Sequence, residues 1–362
     1  MTLPFHPLDQ QLFTRAQALL DDEWITHDAD LAPVLPTVLA RNVGQDWHKA
    51  GTFRHHLVGV ARSLTLWQQP RAVRLLGLLH SVYGNAFVDL VKFDPASERA
   101  RLRDLVGKSA EHLVYLFCTQ SRTQFVQRVL GGGLEADGSL ALDKDGQRHL
   151  LTPFEVAAFV IVSMADPIEQ WFSWQDDIYS RFPNVQHRPQ TVHWAASLWP
   201  GPMRPTGRML HQIAGLGQAL QHPGLKGLLP VPPVFADCTK HLSVAAEAAT
   251  TSLYWSVIQQ DQPLVDLDVA TVVLEQAVRH NPWVGEPQMV LAQLYLSAGR
   301  RDDAKHAAQS ALQCFSAWGN AWDKRVQWDA WVAWTRILLQ SASEGGWPER
   351  LDKLNNAALR GG

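Results

Sequence analysis

The chain has 362 residues, 46% of them apolar and 19% charged, and a formal net charge of −3. That length is too great for one small core and fits two modest domains. The near balance of charge removes any general electrostatic reason to expect a nucleic acid or an anionic membrane as partner.

Three cysteines, Cys118, Cys238 and Cys314, are odd in number and far apart. They exclude a disulfide framework and a CxxC metal site, and they suit a reducing cytoplasm. The start, MTLPFHPLDQQLF, lacks a basic segment followed by a long apolar run. No window approaches the roughly 18 uncharged apolar residues of a spanning helix, so a soluble cytoplasmic protein is expected. The fifteen tryptophans read as core packing, because large aromatics bury the most area per side chain; an aromatic-lined pocket is the other use.

Apolar residues at three- and four-residue spacing predict helices over Leu12 to Leu20, Phe53 to Trp67, Val73 to His80, Leu102 to Phe117 and Phe154 to Phe172. In the second of these, His56 stands in line with Phe53, Val60, Leu64 and Trp67, whereas His55 shares its side with Gly59 and Arg62. His56 therefore faces inward. His80 ends the third helix after Leu75, Leu76, Leu78 and Leu79. One such imidazole is usually a core histidine with a local partner. Two point to a shared cation, because each desolvated ring needs a partner and a metal accepts both.

Tyr83 and Asn85 follow in a turn at Gly84, and with Arg122 and Glu169 they are candidates to orient a substrate. Arg99, Arg101 and Arg103 form a basic run near a helix start, a solvated or ion-paired face before an anion anchor. In GKSAEHLVYLFC, Glu111 is an oxygen donor for a metal or an ion-pair partner, and His112 packs. From Gly131 to Thr152 two short alternating runs joined by Asp145-Gly146 predict a β-hairpin, lying over the helices as a flap or as a surface excursion. Asp166 closes the apolar helix EVAAFVIVSMAD, with Pro167 interrupting the pattern just after it; it reads as a ligand, a cap or an ion-pair partner.

Proline and glycine crowd Leu198 to Gly207 and Gln221 to Phe235, marking a connection over 206–240 between a domain at 1–205 and one at 241–345, with a tail at 346–362. In the second domain, Leu291, Ala292, Tyr295, Gly299, Ala304, Ala308 and Ala311 fall at tetratricopeptide-repeat offsets. Ala270, Leu274, Ala277 and Pro282 match the preceding repeat in phase. Trp318, Trp322, Trp328, Trp331 and Trp334 follow, reading as a buried capping stripe or as a groove for a peptide or protein partner.

The blocks HLVGVARSLTLWQQP, GLLHSVYGN and GKSAEHLVYLFC, in that order, resemble an uncharacterised bacterial family distantly similar to the HD-domain superfamily of metal-dependent enzymes. The resemblance runs from about Phe53 to Trp171. It implies a helical metal-binding domain with His56, His80 and Asp166 as ligands. It also implies that Ser81 stands where the superfamily has the aspartate that bridges two metals. A hydroxyl, neutral at pH 7, replaces a bridging carboxylate poorly. The set that remains is the two-histidine, one-carboxylate facial triad of non-haem Fe(II), with Glu111 as a fourth ligand or as an acceptor that orients a histidine. Zinc or manganese is the other metal expected.

No GxSxG, GxxxxGK[ST] or HExxH motif is present. The sequence thus predicts a mainly α protein, an HD-like domain with a small β-hairpin followed by tetratricopeptide-like repeats. The expected activity is an iron oxygenase or oxidoreductase acting on a small molecule or a peptide. The alternatives are a metal-dependent phosphohydrolase and a metal-free adaptor. The metal readings require the rings of His56 and His80 to lie within about 5 Å of each other.

Overall fold

The structure, a computed structural model, describes residues 3–48, 51–85, 90–170, 207–236, 242–258 and 266–347. The chain is mainly α-helical, with two small antiparallel hairpins among the described residues. It divides into two compact units, Met1–Gln17 with His241–Gly362, and Ala18–Lys240. The N-terminal arm, which leads into α1 (Gln10–Ala18), therefore clusters with the C-terminal helices and not with the domain it precedes in sequence. Its attachment explains this. The His6 N–H donates to Ser310 Oγ at 2.7 Å, the His6 ring stacks on Trp283 at 4.5 Å, and the Asp9 N–H donates to Gln313 Oε1 at 2.8 Å.

In the Ala18–Lys240 unit, short helices α2 (Trp24–His27) and α3 (Leu35–Leu39) precede a hairpin of β1 (Trp47–His48) and β2 (Gly51–Thr52). Strands of two residues are too short for alternation to announce them. Thr52 then caps α4 (Phe53–Leu66) by accepting the His55 N–H. The next helix, α5 (Arg71–Leu79), packs on α4, on α7 (Lys108–Thr119) and on α9 (Pro153–Glu169). Its Leu75, Leu76, Leu78 and Leu79 are wholly buried, as in a helix that is apolar all round. A Cβ on Gly77 would stand 2.1 Å from Leu64 Cδ1, so the Leu64 side chain of α4 fills the space that a side chain at this point of α5 would need.

The single helix predicted from Leu102 to Phe117 is two, α6 (Arg99–Val106) and α7. Gly107, at φ +89°, breaks it in a left-handed conformation that glycine adopts cheaply. After α8 (Arg122–Leu130) come β3 (Leu140–Lys144) and β4 (Gln147–Leu151). Asp145 and Gly146 both have positive φ, as a two-residue turn that follows the strand twist requires. The hairpin is fastened rather than free. Arg128 Nη1 donates to the Ala141 carbonyl at 2.5 Å, and the Asp143 N–H donates to Gln124 Oε1 at 2.9 Å.

A capping box of Thr152 and Glu155 starts α9. Pro167 does not stop it. The helix runs on to Glu169, and near its end the proline costs one carbonyl its N–H donor without redirecting the chain. Asp166, Glu169 and Gln170 consequently share one face, at spacings of three and four. Helix α10 (Gly207–Ala219) packs on α8 and α9, and Pro233–Phe235 forms a single 3-10 turn. Residues 171–206, Cys238 and residues 348–362 of the predicted tail lie outside the described residues.

The other unit strings together α11 (Val244–Ile258), α12 (Leu267–His280), α13 (Gly285–Ser297), α14 (Arg301–Trp318) and α15 (Trp328–Glu344), each packed on the next. Ala304, Ala308, Ala311, Leu291 and Ala292 are wholly buried, and Gly299 takes φ +72° between α13 and α14. The tryptophan stripe is largely interior. Trp318, Trp328 and Trp331 are buried, and their indole N–H groups donate to the carbonyls of Trp283, Phe315 and Asp323 at 2.8 to 3.0 Å. Near the start of α13, Glu286 Oε1 accepts the backbone N–H groups of Trp322 at 2.7 Å and Asp323 at 3.0 Å, tying the loop between α14 and α15.

Candidate metal centre

Three helices bring three donors together. His56 comes from the inward face of α4, His80 caps the C-terminus of α5, and Asp166 lies in the last turn of α9; all are buried. The rings of His56 and His80 have centroids 5.0 Å apart and meet nearly edge to face. Their Nε2 atoms are 3.2 Å apart. Asp166 Oδ1 is 3.2 Å from Nε2 of His56 and 3.8 Å from Nε2 of His80.

Metal–ligand bonds of about 2.1 Å place neighbouring donor atoms roughly 3.0 to 3.4 Å apart; the two 3.2 Å separations fall in that range, and the 3.8 Å between His80 Nε2 and Asp166 Oδ1 is wider. Among the described residues, His56, His80 and Asp166 are the group whose donor atoms lie close enough together that they could hold a metal ion.

The far side of each ring is also engaged. His80 Nδ1 sits 2.8 Å from the Gly77 carbonyl, which accepts only if Nδ1 carries the hydrogen and so leaves Nε2 bare toward the centre. His56 Nδ1 lies 2.5 Å from Glu169 Oε2. Around Asp166, Gln170 Nε2 donates to Oδ1 at 2.8 Å and Arg122 Nη2 donates to Oδ2 at 2.5 Å. The same Gln170 meets Nε2 of His48 through its Oε1 at 3.0 Å, and the His48 ring lies 4.8 Å from that of His56.

Charge follows this geometry. Burial lowers His56, but the carboxylates of Glu169 and Asp166 outweigh it and raise the ring to about 9. Burial takes His80 the other way, to about 4; Asp166 opposes that fall, while His56 and Arg122 add to it. Burial by itself would raise Asp166, yet Arg122 and the two imidazoles hold its carboxyl well below the ordinary range. Without a metal, one proton held on His56 stands where the cation would.

The remaining predicted residues are distributed differently. Glu111, expected as a fourth ligand or as the acceptor that orients a histidine, is not part of the group that could hold an ion. Its buried carboxylate takes Arg99 Nε at 2.7 Å, the Tyr83 hydroxyl at 3.1 Å and Arg103 Nη2 at 3.5 Å. Burial raises Glu111, but Arg99 and Tyr83 hold it ionised below its usual value. A carboxylate so supplied with cations is satisfied without a metal. Tyr83 serves that cluster. Asn85 donates to Ser81 Oγ at 3.0 Å, and Arg122 bonds the triad directly. His112 is exposed and pairs with Glu155 at 2.8 Å. Glu169, expected beside substrate, is turned onto His56.

His48 and Gln170 escaped the sequence reading. Helical spacing from Asp166 is a signal that finds Gln170. No pattern in sequence marks His48, which the β1–β2 hairpin delivers.

Residues 37–122 match a family model described as a domain of unknown function (DUF6817). The match takes in His56, His80, Glu111 and Arg122 and ends before Asp166. No curated protein and no solved structure matches the chain. Among the described residues, no helix is long and apolar enough to cross a membrane.

Proposed function

We propose that the chain is a metal-dependent enzyme of HD-like type, in which His56, His80 and Asp166 hold a single divalent ion, Fe(II) by preference. The observation that carries this reading is the convergence of two imidazole Nε2 atoms 3.2 Å apart beside a buried carboxylate oxygen. Two imidazoles and one carboxylate leave an iron open positions, and the chemistry such an ion supplies is dioxygen-dependent oxidation. The protein's own part is preparation. The Gly77 carbonyl and Glu169 fix how the rings turn, and Arg122 and Gln170 hold both oxygens of Asp166. Burial of all three donors keeps water from competing for them.

Ser81 supports a one-metal reading. It follows His80, is buried and offers a hydroxyl already bonded to Asn85, where a bridging site requires a carboxylate. The substrate is a small molecule, or a peptide gripped by the C-terminal unit read as tetratricopeptide-like repeats.

Elemental analysis of protein purified without added metal, with the electron paramagnetic resonance of any iron, tests the reading. About one iron per chain, absent from the double variant His56→Ala, His80→Ala, is the expected result. Zinc alone moves the reading to hydrolysis. Absence of metal, or metal that survives loss of His56, leaves the adaptor.

A further inference from the structure

We infer that Glu169 is a positioning residue of the metal centre, reaching His56 through an opening in α4 that Gly59 provides. The inference rests on the metal reading above.

Glu169 lies one helical turn beyond Asp166, so a single turn of α9 presents both a ligand and the carboxylate behind another ligand. Its Oε2 stands 2.5 Å from Nδ1 of His56. A carboxylate there accepts the Nδ1 hydrogen, leaves Nε2 as the nitrogen that faces the centre, and makes that nitrogen a better donor. His80 has a neutral counterpart in the Gly77 carbonyl. The two ligands are therefore oriented by unlike groups, and the charged one acts on His56.

The path of Glu169 to His56 crosses α4 at Gly59, three residues past the histidine. A Cβ at residue 59 would lie 2.7 Å from Glu169 Cγ, 3.1 Å from Oε1 and 3.2 Å from Cδ. Such contacts leave the Glu169 side chain no room where it now lies. Gly59 sits inside α4 and is not one of the glycines with positive φ, so the helix has no conformational need for glycine at this point. Space for the carboxylate is the need that the structure shows.

Zinc serves as the probe. The full chain is loaded with one equivalent, its affinity is measured by competition with a chelating dye, and the rate at which excess chelator strips the metal is followed. Glu169→Ala is expected to weaken binding about 10- to 100-fold and to hasten stripping accordingly. Glu169→Gln, which keeps an acceptor without the charge, falls between. Gly59→Ala leaves every donor in place and is expected to hasten stripping as well. In the Glu169→Ala background it is expected to add nothing, because it acts through the missing carboxylate. Thermal melting of the zinc-free variants distinguishes misfolding from loss of orientation.

Stripping of Glu169→Ala at the wild-type rate overturns the inference, as does a Gly59→Ala effect that persists undiminished without Glu169. Wild-type protein that binds no zinc overturns the metal reading and this inference together, whereas wild-type binding with unaffected variants overturns this inference alone.

Discussion

At His56 a metal bound as proposed would compete with a proton for the same nitrogen. The ring's raised value of about 9 means that Nε2 is protonated at neutral pH, while His80, near 4, is already bare. Metal ligands must be deprotonated. Affinity is therefore expected to rise about tenfold per pH unit from pH 5 toward 9 and to level off above it. Calorimetric titration with zinc at pH 7, in two buffers of different ionisation heat, is expected to show about one proton released per ion bound. A flat affinity over that range contradicts a protonated His56 in the metal-free protein. The same scale shows why Glu111 lies outside the group of converging donors. Glu111 and Asp166 are both acidic and both buried, but Glu111 faces Arg99 and Arg103 while Asp166 faces two imidazoles and one arginine. Residue type and burial were legible in the chain. The partner was not, because Arg99 and Arg122 reach their carboxylates across 12 and 44 residues.

Elements set the distances that these residues need. Because α4 and α5 carry His56 and His80, their separation at Gly77 sets the gap between the rings. Gly77→Ala forces a methyl group to within 2.1 Å of Leu64 Cδ1, an overpacking expected to cost about 1–3 kcal/mol. Urea unfolding would register that loss, and zinc affinity should fall with it; unchanged values for both would show slack between the helices. In the other unit, the pH dependence of one clasp follows from its surroundings. Burial and the neighbouring Asp323 carboxylate raise Glu286 to about 7 from an ordinary 4.5, although the Trp322 and Asp323 N–H groups favour its charged form. The folded state thus keeps a proton that the unfolded chain gives up near 4.5. This group's contribution to stability is present below about 4.5 and is lost as pH rises toward 7. Glu286→Gln, which cannot ionise, should lack that decline when urea midpoints at pH 4.5 and 7.5 are compared with those of wild type. Helix positions were readable from apolar spacing to within a few residues. The break at Gly107 was not, whereas the predicted helix from Phe154 does run through Pro167. A glycine inside an apolar period looks like a helical residue until its backbone angle is known, and a proline near a helix end stops or spares it according to what the last turn packs against.

Across the whole molecule, the candidate centre belongs to one unit, since α4, α5 and α9 all lie between Ala18 and Lys240. A ligand that binds only the folded state stabilises it by about 4 kcal/mol at a thousandfold excess over its dissociation constant. Hydrogen exchange with and without zinc is therefore expected to show slowed amides concentrated in α4, α5 and α9. The amides of α13 to α15 serve as the comparison, and protection gained chiefly there would place the metal elsewhere. His80→Ala should erase the effect.

By itself the sequence determined that this chain is mainly helical, where most of its long helices fall, that a hairpin turns at Asp145-Gly146, and that two histidines end on buried faces. Those are local properties, written in periodicities of two and 3.6 residues and in the backbone freedom of single positions. Tertiary structure alone decided that Asp166 and not Glu111 completes the cluster, that Glu169 stands behind His56, that His48 comes near it, and that the N-terminal arm joins the last helices. Each of these depends on which distant segment fills the space beside a given side chain, and that is settled by packing over the whole core.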